Sequence, residues 1–150
     1  MKIDLHTHTT FSDGTLDPEE LVDAAHGLGI THMAIVDHDS TGSLDLARAK
    51  AAQYGLTVIP GVEINTKDTV SVHVLGYFVE EKDEQFQKTL VQHRDLREKR
   101  AQVILDKLHR MGIKISLSDF GPIKDSAAIG RPHIEQKWES LAWSDGRVWS

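Results

Sequence analysis

An order of segments that occurs twice in the first 64 residues constrains this chain most: strand, polar loop, helix, glycine, strand. Ile3 to His8 alternates, with Ile3 and Leu5 on one side and Asp4, His6 and His8 on the other, as in a strand. After the polar turn Thr9 to Gly14, Asp17-Pro18-Glu19-Glu20 supplies an N-cap, a proline at the first helical position and a glutamate placed for a capping box. The helix runs over Leu21, Val22, Ala25 and Leu28 and stops at Gly29. Thr31 to Val36 is an apolar run ending in Asp37-His38-Asp39 and reads as a buried strand. A second helix over Leu44, Leu46, Ala47, Ala51 and Tyr54 stops at Gly55. A third strand over Leu56 to Ile59 follows, then Pro60-Gly61 and the segment Val62-Glu63-Ile64. Two βαβ units in succession predict an α/β fold with a parallel sheet or barrel, and such folds gather their active sites at the C-terminal ends of the strands.

Those ends are where His6, His8, His38 and Glu63 fall. Asp13 lies on the loop after the first strand, and His73 lies on a fourth strand, Val70 to Val79, facing away from Val72 and Val74. Divalent zinc, manganese or iron prefers imidazole and carboxylate ligands. His6 and His8 are two residues apart on one strand face, about 7 Å along the backbone, which lets two imidazoles converge on one ion. Singly, each residue has an ordinary explanation. His6-Thr7-His8 suits a half-polar edge strand, Asp13-Gly14 a turn, Glu63 a surface carboxylate and His73 a hydrogen-bonded core position. Jointly, six ligand-type residues at the same rim of successive units are a poor way to build a core.

Beyond the fourth strand, Asp83 to Met111 reads as helical, with Phe86, Leu90, Val103, Ile104 and Leu108 as apolar markers and Gly112 as the stop. Its charged middle, His93 to Arg100, reads as a solvated face, and Ile113 to Leu117 as a short strand. The net charge of −6 argues against gripping nucleic acid by the whole surface, while leaving room for a nucleotide or RNA end in a local cleft. The absence of cysteine excludes disulfides and thiolate metal sites. No apolar stretch approaches the roughly 20 residues of a membrane span, and the N-terminus lacks a secretory layout, so a cytoplasmic protein is expected. Nine histidines in 150 residues are the unusual feature of the composition.

Asp4-Leu5-His6-Thr7-His8-Thr9 with Phe11-Ser12-Asp13-Gly14 resembles the first motif of the PHP (polymerase and histidinol phosphatase) family. Val36-Asp37-His38-Asp39 resembles the second motif, Ile59-Pro60-Gly61-Val62-Glu63-Ile64 the third, and His73-Val74-Leu75-Gly76-Tyr77 the strand that supplies a further histidine. The resemblance runs from Met1 to about His133. It implies a distorted (β/α)7 barrel, incomplete in this chain, with a helical cap insertion and up to three divalent metal ions (Mn, Zn or Fe). By motif position His6, His8 and Glu63 would hold one ion, Glu63 with His73 a second, and Asp13 with His38 the third, Glu63 being the bridging, catalytically central ligand. Asp4 and Asp37 resemble carboxylates that orient the ligands, although Asp37 or Asp39 also suits a cap on the following helix. Gly130-Arg131-Pro132-His133 is similar to a segment of the branch that hydrolyses phosphate from nucleotides or trims RNA 5′ ends, with Arg131 and His133 as substrate-binding residues. An Arg in an ordinary exposed loop is the plain alternative.

The resemblance thus implies residues 1–82 as the first part of a barrel, 83–133 as a cap, and 134–150, with Trp138, Trp143 and Trp149, as an atypical tail. It implies a phosphoesterase that uses a metal-activated water, with a nucleotide or short RNA as substrate, no membrane and no stable nucleic-acid complex. A histidinol-phosphate-like phosphomonoesterase and a non-catalytic metal-binding module are the alternatives. Complete members are about twice this length and contribute a later histidine and an Asp-x-His pair. Because His133 is the last histidine, a truncated or frameshifted product, with sheet edges and apolar helix faces left open, is expected.

Overall fold

The computed structural model describes residues 1–67, 71–120 and 129–144. Along the chain run β1 (Ile3–Thr7), α1 (Pro18–Gly27), β2 (His32–Ile35), α2 (Leu44–Ala51), β3 (Thr57–Lys67), β4 (Ser71–Tyr77), α3 (Glu84–Arg110) and α4 (Arg131–Ser144). The four strands form one sheet in the order β1-β2-β3-β4. Both βαβ units are present, for β1, β2 and β3 are parallel neighbours. The first helix begins as its sequence dictates, with the Asp17 amide donating to Glu20 Oε2 at 3.0 Å and Pro18 in the first turn.

One expectation about the sheet needs correction. Pro60-Gly61 does not end the third strand: β3 continues unbroken to Lys67. Over Thr57 to Pro60 it pairs with β2, and from Gly61 it pairs with β4. Pro60 stands at the handover, where proline has no amide to donate, and its carbonyl accepts from the Phe78 amide at 2.7 Å. A side chain at Gly61 would begin 2.6 Å from Val36 Cγ1 and 3.0 Å from the Gly76 carbonyl, so this glycine serves close packing. The fourth strand, whose direction the sequence leaves open, runs antiparallel to β3. Only residues 68–70 separate the two strands, and a parallel return requires a crossover of about a dozen residues or more.

One core lies between the sheet and α1 and α2, where Met33 and Ile35 of β2 meet Val22, Ala25, Leu44, Ala47 and Ala51. The sheet is open: β1 and β4 are its edges, and Ile3, Leu5, Val72 and Val74 are exposed along them. A second, smaller core joins Ala101 and Leu105 of α3 to Ile115, Ile129 and Ile134, with Trp138 packed against it. Here α4 passes unbroken through position 134. Of the expected apolar markers in α3, Leu90 is fully buried but Val103 faces water at 55% exposure, and Ala101 and Leu105 fill the buried stripe instead. Residues 113–116 form no strand: Ile115 is buried in the second core, and Leu117–Phe120 is a turn of 3-10 helix. Among the described residues no helix is long and apolar enough to cross a membrane.

Candidate metal centre

The parallel register continues past the end of β2 and sets the site. The Glu63 amide donates to the Asp37 carbonyl at 3.2 Å and the Asp39 amide to the Glu63 carbonyl at 3.1 Å, so His38 is bridged directly to Glu63. His6 sits at the end of β1, and His8 just beyond it. A β-carbon on Gly14 would fall 2.4 Å from the His8 carbonyl oxygen, so the loop carrying Asp13 folds back tightly over His8 only because position 14 is glycine. His73 arrives from β4. Because that strand is antiparallel, its N-terminal half, not its C-terminal end, meets the C-terminal half of β3.

All six expected ligands converge. His6 Nε2, His8 Nε2 and Glu63 Oε2 form a triangle with each separation 3.1 Å. His38 Nε2 lies 3.4 Å from Asp13 Oδ2 and 3.9 Å from Glu63 Oε2, and His8 Nδ1 lies 3.5 Å from Asp13 Oδ1. The remaining Glu63 oxygen, Oε1, is hydrogen-bonded to His73 Nδ1. Three overlapping groups result: His6, His8 and Glu63; His8, Asp13 and His38; His38, Glu63 and His73. The first is the set that the motif positions imply. In the other two, His8 joins Asp13 and His38, and His38 joins Glu63 and His73.

The donor set fits divalent ions. Donors about 2.1 Å from a common ion stand roughly 3.0 to 3.4 Å apart, which is the spacing of the His6, His8 and Glu63 triangle. The protonation states fit as well. Burial pushes the Glu63 carboxyl up, but the charge of His38, hydrogen bonds from His73 and His6 and the charge of His8 outweigh it, leaving it below its usual value. Burial raises Asp13 too, and the hydrogen bond and charge of His38, with His8 behind them, hold it well below the usual carboxylate range. Burial lowers His8, with Asp13 opposing and His38 assisting. Ionised carboxylates and a neutral imidazole are the forms that bind cations.

The two flanking carboxylates act differently. Asp4 Oδ1 accepts the His6 amide at 3.2 Å and so steadies the backbone of that residue, not a ring. Asp37 is 1% exposed and accepts from the Thr9 amide, Thr9 Oγ1 and Ser12 Oγ, each at 2.7 Å, and from Ser43 Oγ. Through Ser12, whose Oγ is 3.3 Å from His8 Nδ1, it reaches the cluster, and through Ser43 it also ties down the residue before α2. His133 stands next to this loop. Its Nδ1 accepts the Gly130 amide at 3.1 Å, which leaves Nε2 to carry the proton and donate to the Ser12 carbonyl at 2.9 Å. The side chains of Arg131 and Trp143, and the whole of Trp149, lie outside the described residues; the Arg131 backbone opens α4.

The solvated-face reading of His93 to Arg100 holds for Asp95, Glu98, Lys99 and Arg100 and fails for His93, Arg94 and Arg97, which turn toward Asp39. Their spacing, one and four residues apart on a helix, puts them on one side and is the only sequence signal that marks them. Nothing in that spacing names Asp39 as the target.

A model of the PHP domain matches residues 4–140. The chain is 40% identical over 113 residues to a 5′-3′ exoribonuclease of Haemophilus influenzae, covering 75% of this chain and 41% of that protein. It is 35% identical to a 3′,5′-nucleoside bisphosphate phosphatase of Chromobacterium violaceum, covering 93% of this chain and 60% of that protein. Among solved structures, a protein of Bifidobacterium adolescentis described as a metal-dependent phosphoesterase superposes with a TM-score of 0.84 at 32% identity, covering 97% of this chain and 55% of that one. The chain therefore spans about half the length of the proteins it matches, and its open sheet corresponds to part of a PHP barrel. With the motifs in order, the ligand cluster assembled and residues 4–140 of its 150 matched by the family model, this chain belongs to the PHP domain family.

Proposed function

We propose that this chain carries the metal-binding part of a phosphoesterase that hydrolyses phosphate esters of nucleotides or RNA 5′ ends. The observation that carries the reading is Glu63. It is 3% exposed, and its two oxygens face different partners, Oε2 toward His6 and His8 and Oε1 toward His73. A buried carboxylate divided in this way suits a bridge between two cations. His6, His8, Asp13, His38 and His73 complete up to three sites. The set of imidazoles and carboxylates suits manganese, zinc or iron in preference to calcium or magnesium, which favour all-oxygen ligands.

Divalent cations held there would supply an acidified water as nucleophile and positive charge for the phosphate oxygens. The chain's own contribution is positional. Asp37 fixes the loop that carries Ser12 and Asp13, and the β2–β3 register fixes His38 against Glu63. Arg131, at the first position of α4, offers a fork matched to phosphate oxygens. His133 holds the start of α4 beside the Asp13 loop, and to contact substrate directly it would have to release the Ser12 carbonyl. The exoribonuclease and bisphosphate phosphatase relatives favour nucleotide or short RNA substrates over a histidinol-phosphate-like ester. A cytoplasmic setting accords with the cysteine-free composition.

The test combines cation titration with turnover of a nucleoside 3′,5′-bisphosphate and a 5′-phosphorylated oligoribonucleotide. Chelator-sensitive hydrolysis that Glu63→Gln removes is the expected result. Hydrolysis that persists in excess chelator would refute it. Tight cation binding without turnover favours the second reading, a non-catalytic metal-binding module, which the retained ligand cluster alone also accommodates.

A further inference from the structure

Asp39, directly after the ligand His38, is held in a way that the phosphoesterase reading does not use. It is 2% exposed and has a φ of +52°, in the left-handed region that residues bearing a side chain seldom occupy. Two arginines of α3 grip it from outside. Arg94 Nη1 donates to its carbonyl oxygen at 2.7 Å, and Arg97 Nε and Nη2 both donate to Oδ2, at 3.1 and 2.9 Å. From inside, its amide donates to the Glu63 carbonyl at 3.1 Å. Amide, carbonyl and carboxylate of one strained residue are thus all engaged. Asp39 Oδ1 makes no hydrogen bond among the described residues and lies 3.6 Å from His93 Nδ1.

His38, by contrast, has no tether of its own. A ligating imidazole ordinarily donates its second ring N–H to a carboxylate or carbonyl, which fixes the ring. His38 Nδ1 is buried without a hydrogen-bond partner among the described residues. Its direction therefore depends on the backbone to either side. Before it stands Asp37, anchored by the hydroxyls of Thr9, Ser12 and Ser43. After it stands Asp39, whose left-handed turn would relax toward an ordinary conformation without its outside partners. That relaxation would swing the His38 ring away from Asp13 and Glu63, to which Nε2 now stands at 3.4 and 3.9 Å.

We infer that Arg97, seconded by Arg94, is a positioning residue of the cluster: from α3 it holds Asp39 in its left-handed turn and thereby aims His38 at Asp13 and Glu63. The helix beyond the barrel strands thus sets the geometry of two of the three ligand groups, those that share His38, and leaves the His6, His8 and Glu63 group alone. The inference rests on the phosphoesterase reading only in taking the cluster to bind cations.

The test uses the full chain and four variants: Arg97→Ala, Arg97→Lys, Asp39→Asn and, as a control at an exposed position of the same helix, Lys99→Ala. The first readout needs no cation, being the ring resonances of His38 and His6 in nuclear magnetic resonance spectra of the chelated protein. Arg97→Ala should shift or broaden His38 and leave His6 in place. Arg97→Lys should restore His38 only in part, since an ammonium cannot reproduce the two-pronged contact. Asp39→Asn keeps the shape and tolerates the left-handed turn, so it reports on the charged contact even where Arg97→Ala does not fold. The second readout is titration with Mn2+ alone, in which sites that include His38 should weaken by roughly 10- to 100-fold, as outer contacts of metal ligands commonly do. His38 resonances and Mn2+ affinities unchanged from the parent in both Arg97→Lys and Asp39→Asn would overturn the inference, as would equal displacement of His6 and His38. If the parent chain binds no Mn2+, the function reading fails, while the His38 resonances still decide this one.

Discussion

Residues 1–77 and residues 84–144 bury charge in opposite ways. In the first region the buried charges are carboxylates, and they are centres: Asp37 collects hydroxyls and an amide, and Glu63 collects imidazoles. Among the described residues of the second region, the charged side chains that turn toward the first are arms of α3, Arg94 and Arg97, and their target, Asp39, belongs to the first region. Acceptors fixed by a sheet can stand where cations would be bound, because strand register leaves little freedom for the backbone. Long donors on a helix can reach such a site without forming part of it. The cluster is therefore made by the sheet and adjusted from the helix, and substitutions in the two regions should separate ligand chemistry from ligand placement.

The largest effect is expected at Glu63. Glu63→Gln should lower cation affinity and any phosphoester turnover by more than the roughly 100-fold typical of an outer contact, with circular dichroism unchanged. If affinity holds, the sheet does not make the site. Next is Asp37→Ala, which leaves the Thr9 amide and three hydroxyls without their buried acceptor. Each unsatisfied donor costs about 1 to 3 kcal/mol, and urea denaturation should show a correspondingly large loss of stability. Leu105→Ala opens a cavity in the second core, where Leu105 is 1% exposed, and should cost about 2 to 5 kcal/mol in the same measurement. Cation binding by His6, His8 and Glu63 should survive it; a loss there equal to that of Glu63→Gln would show that the two regions are one unit. Val103→Lys, at an exposed position of α3, should change stability by no more than about 0.5 kcal/mol.

Much of the cluster was legible because a strand fixes side-chain direction with a period of two. His6 and His8 share a face from their spacing alone, and the repeated strand–helix–strand order sends successive strand ends to one rim. The capping pattern at Asp17 and the stop at Gly29 are likewise local chemistry and stand where the sequence puts them. Direction and reach were not legible. The third strand reads as ending at Ile59, while in the structure it runs on through Pro60 and Gly61, where Val36 and the Gly76 carbonyl leave no room for a side chain, and the antiparallel direction of the strand that carries His73 is set by its pairing with β3. His8 and His38 each enter a second ligand group because loops from different units fold over one another, a contact that no spacing encodes.

By itself, the sequence determined which residues were available to hold cations and which elements would carry them, since both follow from neighbours a few positions apart. Only the tertiary structure decided that Asp39 is a strained, buried anchor and that Arg94 and Arg97, 55 and 58 residues later, are its partners. A local pattern states which face of a helix is charged. Packing between distant segments decides what that face meets, and so whether a charge is solvated or holds a ligand in place.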